Sequence, residues 1–304
     1  MNNLGNKTKL SRLKHLKQSM ISYSMIMPFC IFFFVFLILP IFAAIFLSFT
    51  DFNMSNMVHF VGIENYKRLI IDDEVFLTAF KNTIVFAIIN GPLGYIIAFA
   101  LAWIINQIPK GLRVFMTVVF YAPSLSGNIY FIWQYLFSGD AYGLINGMLL
   151  RFNLIREPIQ WFTDPKYNMA VIIIVQLWMS LGVGFLSFIA GFQGIDKSQY
   201  EAGAIDGIRN RFQELWYITL PNMKQMLLFG AVMQIASAFS VGAITETLSG
   251  GSMSVEYSTL TILNHISDYG NTRYELGYAC AIAVVLFVMV VGTKKLVFKL
   301  LSFD

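Results

Sequence analysis

The side chains that most often perform catalysis or bind metals are few and scattered in this sequence. The histidines His15, His59 and His265 lie in separate segments, and Cys30 and Cys280 lie inside apolar runs, so no metal-ligand spacing is present. The sequence has no glycine-rich phosphate loop, no Gly-x-Ser-x-Gly turn and no His-Glu-x-x-His helix. These patterns argue against an enzyme that uses a metal, a nucleotide or a serine nucleophile.

A second set of polar side chains is uncharged and lies within strongly apolar segments. Amides can exchange hydrogen bonds with a hydroxyl-rich solute, and aromatic rings can cover the apolar faces of a sugar. These candidate solute-path residues are Ser126, Asn128, Gln176, Trp178, Ser180, Gln234, Ser237 and Ser240, accompanied by Tyr121, Trp133 and Gln134. The alternative for any one of them is a hydrogen bond to a neighbouring helix or an interfacial anchor.

Six long runs without Asp, Glu, Lys or Arg must position these side chains. They cover residues 18–50, 82–109, 114–139, 167–195, 225–245 and 276–293. Since about 20 apolar residues cross a hydrocarbon layer of about 30 Å, each run is long enough, or in the last case nearly long enough, to span it. Only 12% of the 304 residues are charged, against about 25% in soluble domains. The sequence therefore predicts an all-α polytopic membrane protein with six transmembrane helices.

The distribution of charge predicts how the chain is oriented. With six spans starting inside, the inner segments 1–20, 106–113, 193–224 and 294–304 hold fourteen of the 21 lysines and arginines. This positive-inside bias predicts that both termini are cytoplasmic. We expect residues 1–20 to form a basic cytoplasmic segment and residues 21–304 to form one transmembrane domain. The net charge of +4 is too small and too dispersed for a nucleic-acid surface.

The cytoplasmic segment 194–224 is long and clearly patterned. Ser198 and Glu201 have the spacing of a capping box, which predicts a helix over residues 199–206 that ends at Gly207. Asn210 and Gln213 offer a second cap. The helix that follows is expected to present Phe212, Leu215, Trp216 and Thr219 on one stripe. From this pattern alone, a simple solvated loop is an equal alternative.

Residues 201–221 closely resemble the cytoplasmic signature of the permeases of bacterial ATP-binding-cassette (ABC) importers. The family pattern is Glu-Ala-Ala, three residues, Gly, nine residues, and Ile-x-Leu-Pro. It is matched here by Glu201, Ala202, Gly207, Ile218, Leu220 and Pro221. Two departures are Gly203 in place of Ala and ten residues instead of nine before Ile218. The strings LSFTDFN at 47–53, FVGIENY at 60–66 and YGLIN at 142–146, with residues 123–137, resemble the maltose-type carbohydrate branch.

This resemblance implies a type I ABC importer permease fold and a transport subunit in the bacterial cell membrane. It implies a heterodimer with a second permease, two cytoplasmic ATPase subunits that bind ATP and Mg²⁺, and an extracytoplasmic solute-binding protein. The permease itself would need no cofactor. The residues that would couple it to the ATPase are Glu201, Ala202, Gly203, Asp206 and Gly207. In the family, the sugar site on the fourth span falls where Gln176, Trp178 and Ser180 lie here.

Three alternatives stay open at this point. One is an ABC permease for another solute class, such as phosphate or amino acids. Another is an ion-coupled secondary carrier, which is disfavoured because the six runs contain no charged residue that could relay ions. The third is a membrane-embedded enzyme, for which no paired carboxylates or Ser/His pair are visible at membrane depth.

Overall fold

A computed structural model describes residues 23–55, 57–126, 129–251 and 253–301, and these are mainly helical. Within them the helices are α1 (Tyr23–Leu47), α2 (Glu64–Ile71), α3 (Glu74–Asn106), α4 (Lys110–Leu125), α5 (Tyr130–Leu136), α6 (Leu144–Arg151), α7 (Asn168–Met179), α8 (Val183–Gly194), α9 (Lys197–Ile205), α10 (Arg211–Glu214), α11 (Leu220–Asn222), α12 (Lys224–Phe239), α13 (Gly242–Leu248), α14 (Ile262–Ser267) and α15 (Leu276–Leu301). The expected basic segment 1–20 lies outside the described residues.

Three helices are long and apolar enough to cross a membrane on their own, namely α1, α3 and α15. Three further candidates are pairs of helices that meet at a break: α4 with α5, α7 with α8, and α12 with α13. The last two pairs each bend by 41°. Counting each pair as one span gives six, as the uncharged runs predict. The third, fourth and fifth spans are each broken into two helices, which the uncharged runs do not reveal.

The central packing unit is formed by α3, α8 and α12, which pack on one another. One apolar cluster includes Ala98, Phe185, Phe188 and Met223, of which Met223 lies within the segment 194–224. A second cluster includes Phe86, Val175 and Val241. A short polar stretch separates the residues of the first cluster from those of the second. It occurs on α3, on the α7–α8 pair and on the α12–α13 pair. The core therefore has a polar layer between two apolar ones.

Three π turns interrupt the helical pattern of the described residues, and two of them end two residues before a proline. One covers Phe34–Ile38, ahead of Pro40, and the other covers Leu215–Thr219, ahead of Pro221. Proline has no amide hydrogen, and its ring clashes with the carbonyl four residues earlier, so an α-helical turn cannot continue undisturbed there. A π turn holds one residue more than an α turn and adjusts the backbone ahead of the ring. The shared spacing points to proline as the cause of these two turns, whereas the third, Asp268–Thr272, has no proline after it.

The loops opposite segment 194–224 are bound to the spans rather than folded as separate domains. The backbone at Gly277, at the start of α15, passes so close to Thr50 that a Cβ atom there would clash with the Thr50 carbonyl. The buried Asn146 side chain donates to the carbonyls of Ser138, Asp140 and Ile159 and so fixes the loop around α6.

Candidate functional site

Three of the predicted path serines lie at the three breaks in the bent spans. Ser126 is the C-cap of α4, Ser180 is the C-cap of α7, and Ser240 is the C-cap of α12. The hydroxyls of Ser180 and Ser240 donate to backbone carbonyls of the turn they end, Leu177 at 2.7 Å and Ala236 at 2.8 Å. Non-helical backbone at membrane depth is tolerated where it is buried in protein or lines a water-filled cavity. The breaks therefore mark a polar passage or a buried junction.

Two glutamine side chains connect the broken spans to their neighbours. The Gln176 amide donates to the Ser237 carbonyl at 3.0 Å and lies 3.3 Å from the Ser237 hydroxyl. The Gln234 amide donates to the backbone carbonyl of Asn90 on α3 at 3.1 Å. The predicted residues on the fourth and fifth spans are thus brought together, and both glutamines also fulfil the alternative role of linking helices.

Gly94 on α3 allows this close approach. A Cβ atom at Gly94 would clash with the Gln234 amide and would lie 2.9 Å from the Ser180 hydroxyl. Gly94, Ser180 and Gln234 therefore meet at one point where α3 faces both broken spans. Gly94 is not among the residues predicted from the sequence.

Several buried polar atoms at this layer have no hydrogen-bond partner among the described residues. They are both amide atoms of Asn90, Oε1 of Gln176 and Nε1 of Trp133. Asn90 was also missed from the sequence, although an asparagine ahead of Gly91 and Pro92 in an apolar run is a visible signal. Buried polar groups are usually satisfied. These donors and acceptors have capacity for the hydroxyl groups of a solute.

The aromatic residues of the predicted path form a group of their own. Trp133 and Trp178 meet edge to face with their ring centroids 5.3 Å apart, and Trp133 also stacks on Phe137. Gln134 donates to the Thr247 carbonyl at 2.8 Å, so its amide serves the contact with α13. Ser126 and Ser240 are exposed at the edges of the polar layer, and Asn128 lies outside the described residues.

The first helix of the segment 194–224 is α9, and its cap differs from the expected one. Asp196 is the N-cap, and its carboxylate accepts from the Ser198 amide at 3.0 Å. The capping box between Ser198 and Glu201 is wrong, because an aspartate two residues earlier provides the acceptor. Hydrogen bonds from the Ser198 amide and hydroxyl lower the pKa of the Asp196 carboxyl.

The C-terminus of α9 is formed as predicted, with Gly207 in the left-handed region at φ +96°. The Ile208 amide donates to the Gly203 carbonyl at 2.9 Å, and the Gly207 amide donates to the Ala204 carbonyl at 3.4 Å. These two bonds form a Schellman motif, for which glycine is the preferred residue at this position. The short helix is therefore fixed at both ends.

The exposed face of α9 carries most of the residues expected to dock. Glu201, Ala202, Asp206 and Gly207 are all exposed, and so is Ile205 at 87%, which is not among the residues predicted from the sequence. Gly203 is instead buried, and a Cβ atom there would lie 2.6 Å from Ile218 Cδ1. Gly203 therefore packs inward, which contradicts its predicted role as a residue that contacts the ATPase. Its lack of a side chain makes room for Ile218.

The second part of the segment begins with the expected cap but does not keep the expected stripe. Asn210 accepts from the Gln213 amide at 2.8 Å. Phe212 and Trp216 are exposed while Thr219 is buried, so the single stripe is wrong. The π turn changes the helical phase, and it allows Ile218 to face inward despite the extra residue before it.

Comparison with known proteins agrees with this architecture. The family described as "Binding-protein-dependent transport system inner membrane component" matches residues 91–294. The probable ABC transporter permease YesP of Bacillus subtilis (strain 168) is 31% identical over 94% of this chain and 92% of its own. The lactose transport system permease LacF of Rhizobium radiobacter is 31% identical over 84% of this chain and 85% of its own.

A solved structure supports the fold independently. A bacterial ABC transporter involved in the import of the acidic polysaccharide alginate contains a chain with a TM-score of 0.74 and 23% identity. The match covers 96% of this chain and all of that one. The prediction of a type I ABC importer permease fold is thereby confirmed, and the ion-coupled carrier loses its support. The chain belongs to the family of inner-membrane components of binding-protein-dependent ABC transport systems.

Proposed function

We propose that this permease imports a neutral sugar or oligosaccharide, which crosses at the breaks of the third, fourth and fifth spans. The observation that carries the proposal is the polar layer at these breaks, where buried amide and indole atoms lack protein partners. Relatives named for lactose and for trehalose/maltose transport support a carbohydrate. An acidic polysaccharide such as alginate is disfavoured, because the polar layer is built from amides, hydroxyls and indoles without a cation.

The proposed assembly contains a second permease, two cytoplasmic ATPase subunits and an outer solute-binding protein. Docking of the exposed face of α9 in a groove of one ATPase subunit would transmit the movement that ATP binding and hydrolysis produce. A short helix fixed by Asp196 and by the Gly207 motif is suited to this, because it moves as a rigid unit. ATP and Mg²⁺ belong to the ATPase subunits in this proposal, since this chain has no phosphate loop.

The proposed orientation places both termini and segment 194–224 in the cytoplasm, and the positive-inside bias supports it. The test uses Gln199→Cys, an exposed position on α9, in a background where Cys30 and Cys280 are replaced by serine. An impermeant maleimide should label this cysteine in inverted vesicles only. Labelling from outside intact cells would refute the orientation.

The transport proposal is tested by uptake into proteoliposomes that contain the whole importer. Neutral oligosaccharides should be taken up in preference to uronate oligomers of the same length. Gln176→Ala should lower uptake by about tenfold, since loss of a buried hydrogen bond costs about 1–3 kcal/mol. Gln225→Ala is the matched control for Gln176→Ala. Gln225 is an exposed glutamine on α12, the helix that carries Gln234 and that Gln176 contacts.

Assembly and basal ATP hydrolysis separate the two roles of Gln176. If Gln176→Ala leaves both intact and lowers uptake, the amide serves the solute. If the complex no longer assembles, the amide serves only to hold α7 against α12. Preferred uptake of uronate oligomers would overturn the assignment of a neutral substrate.

A further inference from the structure

A cavity lies away from the polar layer, beside the segment 194–224. Its volume is about 350 Å³, and its walls come from the ends of α3 and α8 and from the starts of α4, α9 and α10. Polar lining residues include Arg113, Lys197, Arg211 and Glu214, and the apolar wall includes Trp103 and Phe192. The cavity therefore combines cations with an aromatic wall.

Two cations of this cavity have no ion-pair partner among the residues that the structure describes. Arg211 is paired with Glu214 at 2.9 Å, which leaves Arg113 and Lys197 without an ion pair among the described carboxylates. Arg113 donates from one terminal nitrogen to the Ile108 carbonyl at 3.1 Å, but its buried Nε has no partner among the described residues. A buried guanidinium nitrogen without an acceptor is costly, so this site favours an anion.

The position of Arg113 on its helix strengthens the same conclusion. It lies in the first turn of α4, which begins with Lys110, has no acidic residue in that turn and has no side-chain cap. The N-terminus of a helix carries a partial positive charge, so cations are unfavourable there and anions are stabilised. Arg113 and the helix end therefore add to one positive potential at the mouth of the cavity.

We propose that this cavity binds a phosphate group, either as the headgroup of an anionic phospholipid or as free phosphate. Arg113 and Lys197 would contact the phosphate oxygens, and Trp103 and Phe192 would cover the glycerol or acyl portion of a lipid. Basic pockets between helices at the cytoplasmic side of a membrane are suited to anionic headgroups. A bound phosphate would hold α9 against the ends of α3 and α4. The cytoplasmic placement rests on the proposed orientation, but binding itself does not.

The experiment uses the complete importer in nanodiscs and two probes. In the first arm, nanodiscs contain phosphatidylcholine with a minor fraction of phosphatidylglycerol, and lipid retained after detergent exchange is quantified. In the second arm, nanodiscs contain phosphatidylcholine alone, and inorganic phosphate is titrated calorimetrically. Enrichment of phosphatidylglycerol identifies a lipid site, and binding in the second arm alone identifies a site for free phosphate. Absence of both refutes the proposal.

Variants distinguish a defined site from diffuse surface charge. Arg113→Gln and Lys197→Gln should each weaken binding by about tenfold, as expected for one charge-assisted hydrogen bond. Lys110→Gln is the matched control, because it removes the same charge from the same helical turn but does not line the cavity. Lys197 is exposed, so its replacement tests the site even where Arg113→Gln prevents folding. Equal losses in Lys110→Gln, or unchanged binding in Lys197→Gln, would overturn the proposal.

Discussion

The Tyr278 hydroxyl donates a 2.7 Å hydrogen bond to Oδ2 of Asp73, a residue 205 positions earlier in the chain. The same oxygen lies 2.8 Å from Nε2 of the buried His265, and Oδ1 accepts from the Phe76 amide at 2.8 Å. Asp73 thus caps α3 and joins it to α14 and α15. Burial opposes ionisation, but the bonds from Tyr278, His265 and Phe76 outweigh it and lower the pKa of Asp73.

Replacement of this carboxylate should destabilise the transmembrane domain. In Asp73→Asn an amide replaces one acceptor oxygen, so at least one of its buried donors loses its partner, at a cost of about 1–3 kcal/mol. We expect a lower thermal unfolding midpoint of the purified importer. Asp72→Asn is the control, because Asp72 is adjacent and exposed. Equal midpoints for the two variants would show that the buried network contributes no stability.

The same network predicts a dependence of stability on acid. Since the folded-state pKa of Asp73 lies below its ordinary value of 3.8, the ionised carboxylate stabilises the fold at all pH values well above 3.8. That contribution should decline as the pH falls through 3.8 towards the folded pKa. The difference in unfolding midpoint between the wild type and Asp73→Asn should therefore shrink as the pH falls below 4. A difference that grows on acidification would contradict this.

The sequence predicts spans more reliably than it predicts their interior geometry. Six uncharged runs suffice to find six spans, because crossing the bilayer is a requirement of length and composition. The breaks at Ser180 and Ser240 leave no such signature, since serine can also lie within a continuous transmembrane helix. His265 and Asp73 are 192 residues apart, so only the packed fold shows that they meet. Asp196 and Ser198 are equally good caps by type, and the backbone decides between them.

Gly94 offers a test of the polar layer that removes no polar group. Gly94→Ala adds a Cβ atom that would clash with the Gln234 amide and crowd Ser180, so either the Gln234 amide leaves its hydrogen bond to the Asn90 carbonyl or the helices move apart. We expect a loss of uptake that exceeds the loss of assembled complex. Gly91→Ala on the same helix is the control, because a Cβ atom at Gly91 would meet no neighbouring side chain or helix within 4 Å. If both variants transport equally well, close packing at Gly94 is not required for passage.

Gly207 tests whether the shape of α9 is needed for coupling. Gly207→Ala keeps the amide but imposes a cost of about 1–2 kcal/mol for positive φ, and Gly207→Pro cannot adopt that φ at all. Solute-stimulated ATP hydrolysis should therefore fall moderately in the first variant and strongly in the second. Gly194→Ala, at an uncrowded position without positive φ, should behave as the wild type. Full stimulation in Gly207→Pro would exclude the Gly207 turn from coupling.

Glu201 provides the most direct test of docking. Because Asp196 caps α9 and Glu201 is exposed without a hydrogen bond to the described residues, Glu201→Ala should leave the helix intact. Any effect of Glu201→Ala on coupling would then come from a lost contact with the ATPase subunit. We expect Glu201→Ala and Glu201→Gln to reduce solute-stimulated ATP hydrolysis and uptake by a similar factor, because both remove the charge offered to the ATPase. Asp196→Ala should act differently, by loosening α9 at a cost of about 0.5–2 kcal/mol.

Unchanged coupling in both Glu201 variants would mean that this carboxylate does not contact the ATPase. Docking would then have to rest on the exposed Ile205 and its neighbours.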